Sequence, residues 1–345
     1  MRIVLDAMGG DHAPANTVAG AVLALKEYSK ITHLFLTGDE TAIRTELAKL
    51  NYSDPRITIV HTTQIVEMGD HAVDAVRRKK DSSISRAVDL VKNGEADAVV
   101  SAGHTGASVA ATTIKWRTLE GVDRPGIASY IPTEKNLCVL MDAGANVDAR
   151  PEHMLQYAIM GSVLSKYVLG YENPTIGLMS IGEEDVKGSE FTKEVFKLLK
   201  ESSLNFRGNI EGHDIFKNPV ELILCDGFTG NIVLKTIEAT AKVVVSWLKQ
   251  ELVKNPIRMF GAWLARNAFS ALRKRANYES YGGSPLLGVN GICIIAHGSS
   301  SPLAIKNAIR VATEFIEQRI NPRIVEALRD YREKTSIEHH GASIK

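Results

Sequence analysis

Cysteine is scarce in this chain of 345 residues, and the three present, Cys138, Cys225 and Cys293, each sit inside an apolar run ("NLCVLMDAG", "ELILCDGF", "GICIIAHG"). Without paired spacing they supply neither a disulfide framework nor a zinc site, and they read as buried thiols of a reducing compartment. Long hydrophobic runs are missing as well. No apolar stretch is long enough to span a bilayer, and the start "MRIVLDAMGG" lacks the core of a signal peptide, so the expected location is the cytoplasm. An excess of either charge is also absent: 41 Lys and Arg stand against 40 Asp and Glu, a formal net charge of +1. That balance excludes a general nucleic-acid binder and leaves any charged partner to a local patch. No Walker A pattern occurs, and no G-x-G-x-x-G is followed by an acidic ribose partner, so no nucleotide cofactor is expected.

What is present is alternation. Short β-branched runs such as "RIVLDA", "HLFLTGD" and "RITIVHTT" are separated by amphipathic stretches such as "NTVAGAVLALKEY" and "ETAIRTELAKL". This pattern predicts an α/β fold with a parallel sheet and helices on both faces, continuing through one unit from 1 to 345. Two regions depart from it. Residues 230–276 read as a projecting helical arm, interrupted near "KNPI" because proline lacks an amide donor, and 335–345 reads as a frayed tail.

Six predicted strands run into polar, glycine-rich loops: "DAMGGDHAP", "SAGHTGAS", "DAGANVDARPE", "SIGEEDVKGSE", "CDGFTGN" and "HGSSSP". In a parallel sheet the strand C-termini share one edge, so these loops are expected to converge where α/β proteins bind ligands. Amides around Gly9, Gly10, Gly103, Gly106, Gly182 and Gly230, with the side chains of His104, Thr105 and Ser299, suit an anion. Single glycine-rich turns also serve purely structural ends; six together favour a site. Asp6, Asp11, Asp142 and Asp226 would repel a phosphate, and are read as holding the loops open by accepting bonds from loop amides or pairing with cations. A metal site is the rival, but no helix carries a tight acidic cluster, and no metal is expected.

Lys187 lies between Gly182 and Gly188 and is placed to neutralise phosphate or a developing oxyanion, or else to pair with Glu183 or Glu184 at the surface. His297 suits phosphate orientation, proton transfer or a helix cap. No serine or cysteine has an adjacent base at a recognisable spacing, which favours direct transfer over a covalent intermediate. In the arm, Phe260, Trp263, Leu264 and Phe269 belong to an apolar stripe accompanied by basic residues including Arg266, and no acid occurs between Glu251 and Glu279. Such a helix suits an anionic membrane interface, or else a dimer contact or core packing. The run Arg77, Arg78, Lys79, Lys80 is either a solvated face or a dock for an acidic partner.

At these loops the chain resembles the bacterial phosphate acyltransferases of phospholipid synthesis, through "DAMGGDHAP", "RRKKDSSI", "SAGHTGA", "DAGAN", "IGEEDVKG", "CDGFTGNIVLK" and "YGGSPLLGVNG" followed by "AHGSSSPLAIKNAI". His104 departs from the family's usual asparagine. The resemblance implies an α/β/α sandwich similar to phosphotransacetylases and the isocitrate and isopropylmalate dehydrogenases, paired as a homodimer. It implies transfer of a fatty acyl group from acyl carrier protein to inorganic phosphate without a cofactor. Carried to matching positions, it makes Lys187 and Asn231 the first catalytic candidates, with Asn146 and His297 behind them. It also makes the acidic carrier protein the partner for Arg77 to Lys80 or for the arm's arginines, and the inner face of the membrane the surface for the arm. The rivals are a short-chain phosphotransacetylase using coenzyme A, a metal-dependent hydroxyacid dehydrogenase, and a membrane-bound scaffold without turnover.

Overall fold

The computed structural model describes residues 1–217, 220–276 and 281–342. Its strands are β1 (Arg2–Asp6), β2 (His33–Gly38), β3 (Ile57–His61), β4 (Ala98–Ser101), β5 (Gly126–Pro132), β6 (Leu137–Met141), β7 (Ile176–Met179), β8 (Phe206–Ile210), β9 (Leu222–Leu224), β10 (Ser284–Leu287) and β11 (Cys293–Ile295). The helices are α1 (Ala15–Glu27), α2 (Glu40–Lys49), α3 (Ala72–Arg78), α4 (Ser83–Lys92), α5 (Thr105–Trp116), α6 (Pro151–Tyr167), α7 (Glu190–Lys200), α8 (Gly227–Leu252), α9 (Pro256–Leu264), α10 (Arg266–Ala276), α11 (Pro302–Glu317) and α12 (Ile320–Ala342). Polar side chains begin many of the helices. Asp39, Ser82, Ser189, Asp226, Asn255 and Ser301 each accept the amide three residues on, at the starts of α2, α4, α7, α8, α9 and α11, satisfying a donor the helix leaves open.

All eleven strands form one sheet in the order β3-β2-β1-β4-β11-β10-β5-β6-β9-β7-β8. Side chains alternate across it. Ile3, Leu5, Ala98 and Val100 join a core with α1, α6, α11 and α12, whereas Val4 and Val99 join a second core with α4, α5 and the first turns of α8. That period of two is what a sheet covered on both faces requires. The three cysteines are buried free thiols, and burial pushes Cys293 up to about 12.

The sheet is mixed, which corrects the expected parallel one. β10 is antiparallel to both β11 and β5, and β5 is antiparallel to β6. Consequently β6, β7, β8 and β9, mutually parallel, run opposite to β1, β2, β3, β4 and β11. The hairpin of β5 and β6 performs the reversal.

Helix α8 leaves the sheet and continues as α9 and α10, with breaks at Val253–Asn255 and at Ala265. The first break follows from Pro256; the second, inside the expected stripe, divides it between two helices. At the other end of the chain, where a frayed tail is expected, the backbone is helical as far as Ala342, and 343–345 lie outside the described residues. Among the described residues no helix is long and apolar enough to cross a membrane.

Candidate active site

Because the sheet is mixed, the six glycine-rich loops form two clusters on opposite edges rather than one. The loops after β1, β4 and β11 gather on one edge, and those after β6, β9 and β7 on the other.

In the first cluster the Asp11 amide donates to the Gly298 carbonyl at 2.8 Å, tying the β1 and β11 loops across β4. Ser101 Oγ donates to Asp6 Oδ2 at 2.8 Å and accepts the Gly103 amide at 3.1 Å. Asp6 thus supports the β4 loop through a serine. Its Oδ1 has no hydrogen-bond partner among the described residues, and burial raises its pKa, with Ser83 and Ser101 opposing. A cavity of about 10 Å³ beside it is lined by Met8, Gly9, Ser83, Gly103 and His104, at the lower limit for one water. Gly9 is required here, since a Cβ would lie 2.7 Å from Asp6 Oδ2 and from the Gly103 nitrogen. His104 caps α5, its Nδ1 accepting the Ala107 amide at 3.1 Å, so that nitrogen is committed to the helix; Thr105 and Gly106 follow in the first turn.

The second cluster is organised by Asp142, which is fully buried. Its Oδ1 accepts the amides of Ile127, Gly144 and Ala145 at 2.9, 3.0 and 2.9 Å, and its Oδ2 accepts that of Asn146 at 2.7 Å. Burial raises its pKa while these amides pull the other way. Asp226 caps α8, accepting the Thr229 amide at 2.9 Å and its hydroxyl at 2.7 Å. The helix start sits tightly on the β6 loop. The Gly227 amide donates to the Asn146 carbonyl at 2.8 Å, and a Cβ on Gly230 would stand 1.9 Å from the Asp142 carbonyl oxygen. Asn231 then lies against Gly144, 3.3 Å from where a Cβ there would be, and its side chain makes no hydrogen bond among the described residues.

Lys187 belongs to this same edge, because β7 pairs with β9. It is exposed and forms no ion pair among the described residues, with Glu183, Glu184 or any other acid, while its neighbour Asp185 is held by Lys200 at 2.8 Å. Gly182 is buried under the Lys187 stem. A lysine left open beside a helix N-terminus suits an anion.

Several expected residues have other work. Asn146 donates its Nδ2 to the Pro125 carbonyl at 2.7 Å and to the Tyr157 hydroxyl at 2.5 Å, which pins the loop and turns the amide inward. Lys79 is folded onto Asp70 at 2.6 Å and the Ile65 carbonyl at 3.0 Å, leaving Arg77, Arg78 and Lys80 as the exposed members of the basic run. His297 and Ser299 stand in the first cluster, away from Lys187 and Asn231. His297 instead faces Glu238 of α8 at 3.8 Å, a carboxylate the sequence pattern did not single out. About 18 Å of helix separates Glu238 from Asp226, at 1.5 Å per residue, so α8 runs from one cluster toward the other. A cleft of about 550 Å³ beside the β5–β6 hairpin is lined by none of the candidate residues. No group of three or more His, Cys, Asp or Glu among the described residues is arranged to hold a metal.

In the arm, Phe260 and Trp263 are stacked with ring centroids 5.8 Å apart, and the Arg266 guanidinium lies 4.9 Å from the Trp263 ring. Ile257, Phe260, Trp263 and Leu264 are 84, 60, 56 and 62% exposed, while Phe269 is half-buried. Among the described residues nothing covers this apolar face, which argues against core packing as its purpose.

The fold, an α/β sheet covered by helices on both faces, is similar to that of phosphotransacetylases. A phosphotransacetylase from Streptococcus pyogenes aligns with a TM-score of 0.59 at 18% identity over 92% of this chain and 94% of that one. A branched-chain phosphotransacylase from Enterococcus faecalis aligns at 0.54 and 13% identity, over 92% of this chain and all (100%) of that one. Sequence carries the assignment further. The profile of the family described as fatty acid synthesis protein matches residues 1–323. Phosphate acyltransferases of Akkermansia muciniphila and Geobacter sulfurreducens are 50% and 47% identical, each over 95% of this chain and over 96% and 94% of their own lengths. The chain belongs to this fatty acid synthesis family and is an acyltransferase.

Proposed function

We propose that the chain transfers a long-chain acyl group from acyl carrier protein to inorganic phosphate, giving an acyl phosphate for phospholipid synthesis. Its phosphate acyltransferase relatives support the substrate class. The observation that carries the site is the edge shared by the β6, β9 and β7 loops, where Asn231 in the first turn of α8 lies against the β6 loop that Asp142 holds and the open Lys187 follows β7. A phosphate oxygen attacks the thioester carbonyl carbon; the carbonyl electrons move to oxygen, then return as the thiolate leaves with its bonding pair. Lys187 neutralises phosphate and Asn231 donates to the oxyanion, so orientation and charge supply the acceleration. Arg77, Arg78 and Lys80 dock the acidic carrier protein. The arm serves a homodimer and an anionic membrane surface at the inner face of the cell membrane.

The test combines long-chain acyl carrier protein and phosphate and follows free carrier thiol and hydroxylamine-trapped acyl phosphate. Matching, phosphate-dependent release is expected, with kcat falling about 100-fold or more in Lys187→Ala, as for loss of an oxyanion donor. The structural likeness to phosphotransacetylases favours one second reading, a short-chain enzyme using coenzyme A. Turnover with acetyl-coenzyme A and none with carrier-linked chains would select it, and silence with both would leave a membrane scaffold.

A further inference from the structure

At the edge away from Lys187, three side chains form a continuous line across two elements: Glu238 on α8, then His297 and Ser299 after β11. Glu238 Oε2 stands 3.8 Å from His297 Nε2, and the Glu238 side chain is 16% exposed. His297 Nδ1 is 2.8 Å from Ser299 Oγ and accepts the Ser299 amide at 3.2 Å. A nitrogen that accepts an amide proton is unprotonated, so the neutral ring carries its proton on Nε2, toward Glu238. With Nδ1 held by Ser299 and Nε2 facing Glu238 beyond hydrogen-bond length, the hydroxyl is the open end of the line. The geometry points to Ser299 as a nucleophile, activated by His297 and Glu238, that accepts acyl groups from activated esters and passes them to water.

Ser299 Oγ bonds to the acyl carbon while its proton moves to His297 Nδ1. The leaving oxygen or sulfur departs with its electron pair and takes that proton. Water then attacks the acyl-serine with the same histidine as base, which restores the hydroxyl and releases a carboxylic acid. The imidazolium formed at each step is stabilised by Glu238, whose contact must close by about 1 Å to reach hydrogen-bond length, a tightening common on substrate binding. The loop bearing Ser299 is fixed to its neighbour by the Asp11 amide on the Gly298 carbonyl. This route lies on the opposite edge from Lys187 and Asn231 and is separate from direct phosphate attack. Its acyl substrate class rests on the proposed acyl transfer; the reactivity of the serine does not.

The full chain treated with an alkyl fluorophosphonate is expected to gain one adduct, mapped by mass spectrometry to Ser299. Labelling should slow about 100-fold in His297→Gln and about 10-fold in Glu238→Gln, the scale of lost base and orienting groups. Mapping on the parent protein requires no variant to fold. Absence of an adduct on Ser299, or a rate unchanged in Glu238→Gln, overturns the assignment. In phosphate-free buffer, p-nitrophenyl acyl esters should be hydrolysed by the parent, with a loss of about 100-fold in Ser299→Ala; equal hydrolysis by both overturns turnover at this residue. Phosphate-dependent thiol release without a Ser299 adduct removes this proposal and keeps the transfer reading. A Ser299 adduct without phosphate-dependent release does the reverse.

Discussion

Asp54 and Asp142 are the same side chain placed in opposite surroundings. Asp54 is gripped by the Arg56 guanidinium and amide and by the Tyr52 hydroxyl, which hold its carboxyl well below the usual range. Its folded pKa lies below the unfolded value of about 3.9, so its contribution is complete above that value and fades as pH falls toward the folded one. In urea unfolding, Asp54→Asn should therefore lose stability against the parent above pH 4, with the gap closing as pH drops below. A gap constant with pH would remove the linkage. Asp142, raised by burial, acts in the other sense, favouring the folded state less as pH climbs. Asp142 and Asp226 were legible in the sequence as loop supports, because an aspartate ending a β-branched run before small residues meets free amides. Asn146 and Lys79 were not, since their partners Tyr157 and Asp70 are set by packing between elements.

Among the elements, α8 to α10 carry the widest consequence. The break at Pro256 was legible because proline announces it; the one at Ala265 leaves no such mark, and two short helices replace one stripe. Their faces nevertheless present Phe260, Trp263 and Leu264 outward together with Arg258 and Arg266. Liposome flotation with anionic vesicles should retain the parent protein and lose Trp263→Glu, because a charge at an interfacial aromatic opposes insertion. Equal flotation of both would leave the arm to a second copy of the chain. The helix start is as demanding as its end: Gly230 admits no side chain beside the Asp142 carbonyl.

Over the whole molecule, local patterning revealed most strands, helices and strand-end loops, while β8 and β10 were not among the runs it marked. Strand direction was hidden, because β5, β6 and β10 have the same apolar character whichever way they run. The direction decides which loops meet. Inorganic phosphate should accordingly slow amide exchange at 142–146, 182–188 and 226–231 and leave 7–11, 102–106 and 297–301 unchanged, measured by deuterium uptake. Protection confined to the latter group would move the phosphate site to the other edge.

The central strands have a further consequence, one of timing. β4 and β5 end up joined through β11 and β10, which are encoded after residue 283. Until that segment leaves the ribosome, the nascent chain carries two half-sheets whose inner edges, β4 and β5, have no partner. Unpaired edges of this kind are templates for intermolecular pairing. Chains halted before Ser284 should therefore be aggregation-prone, which sedimentation of stalled nascent chains would check.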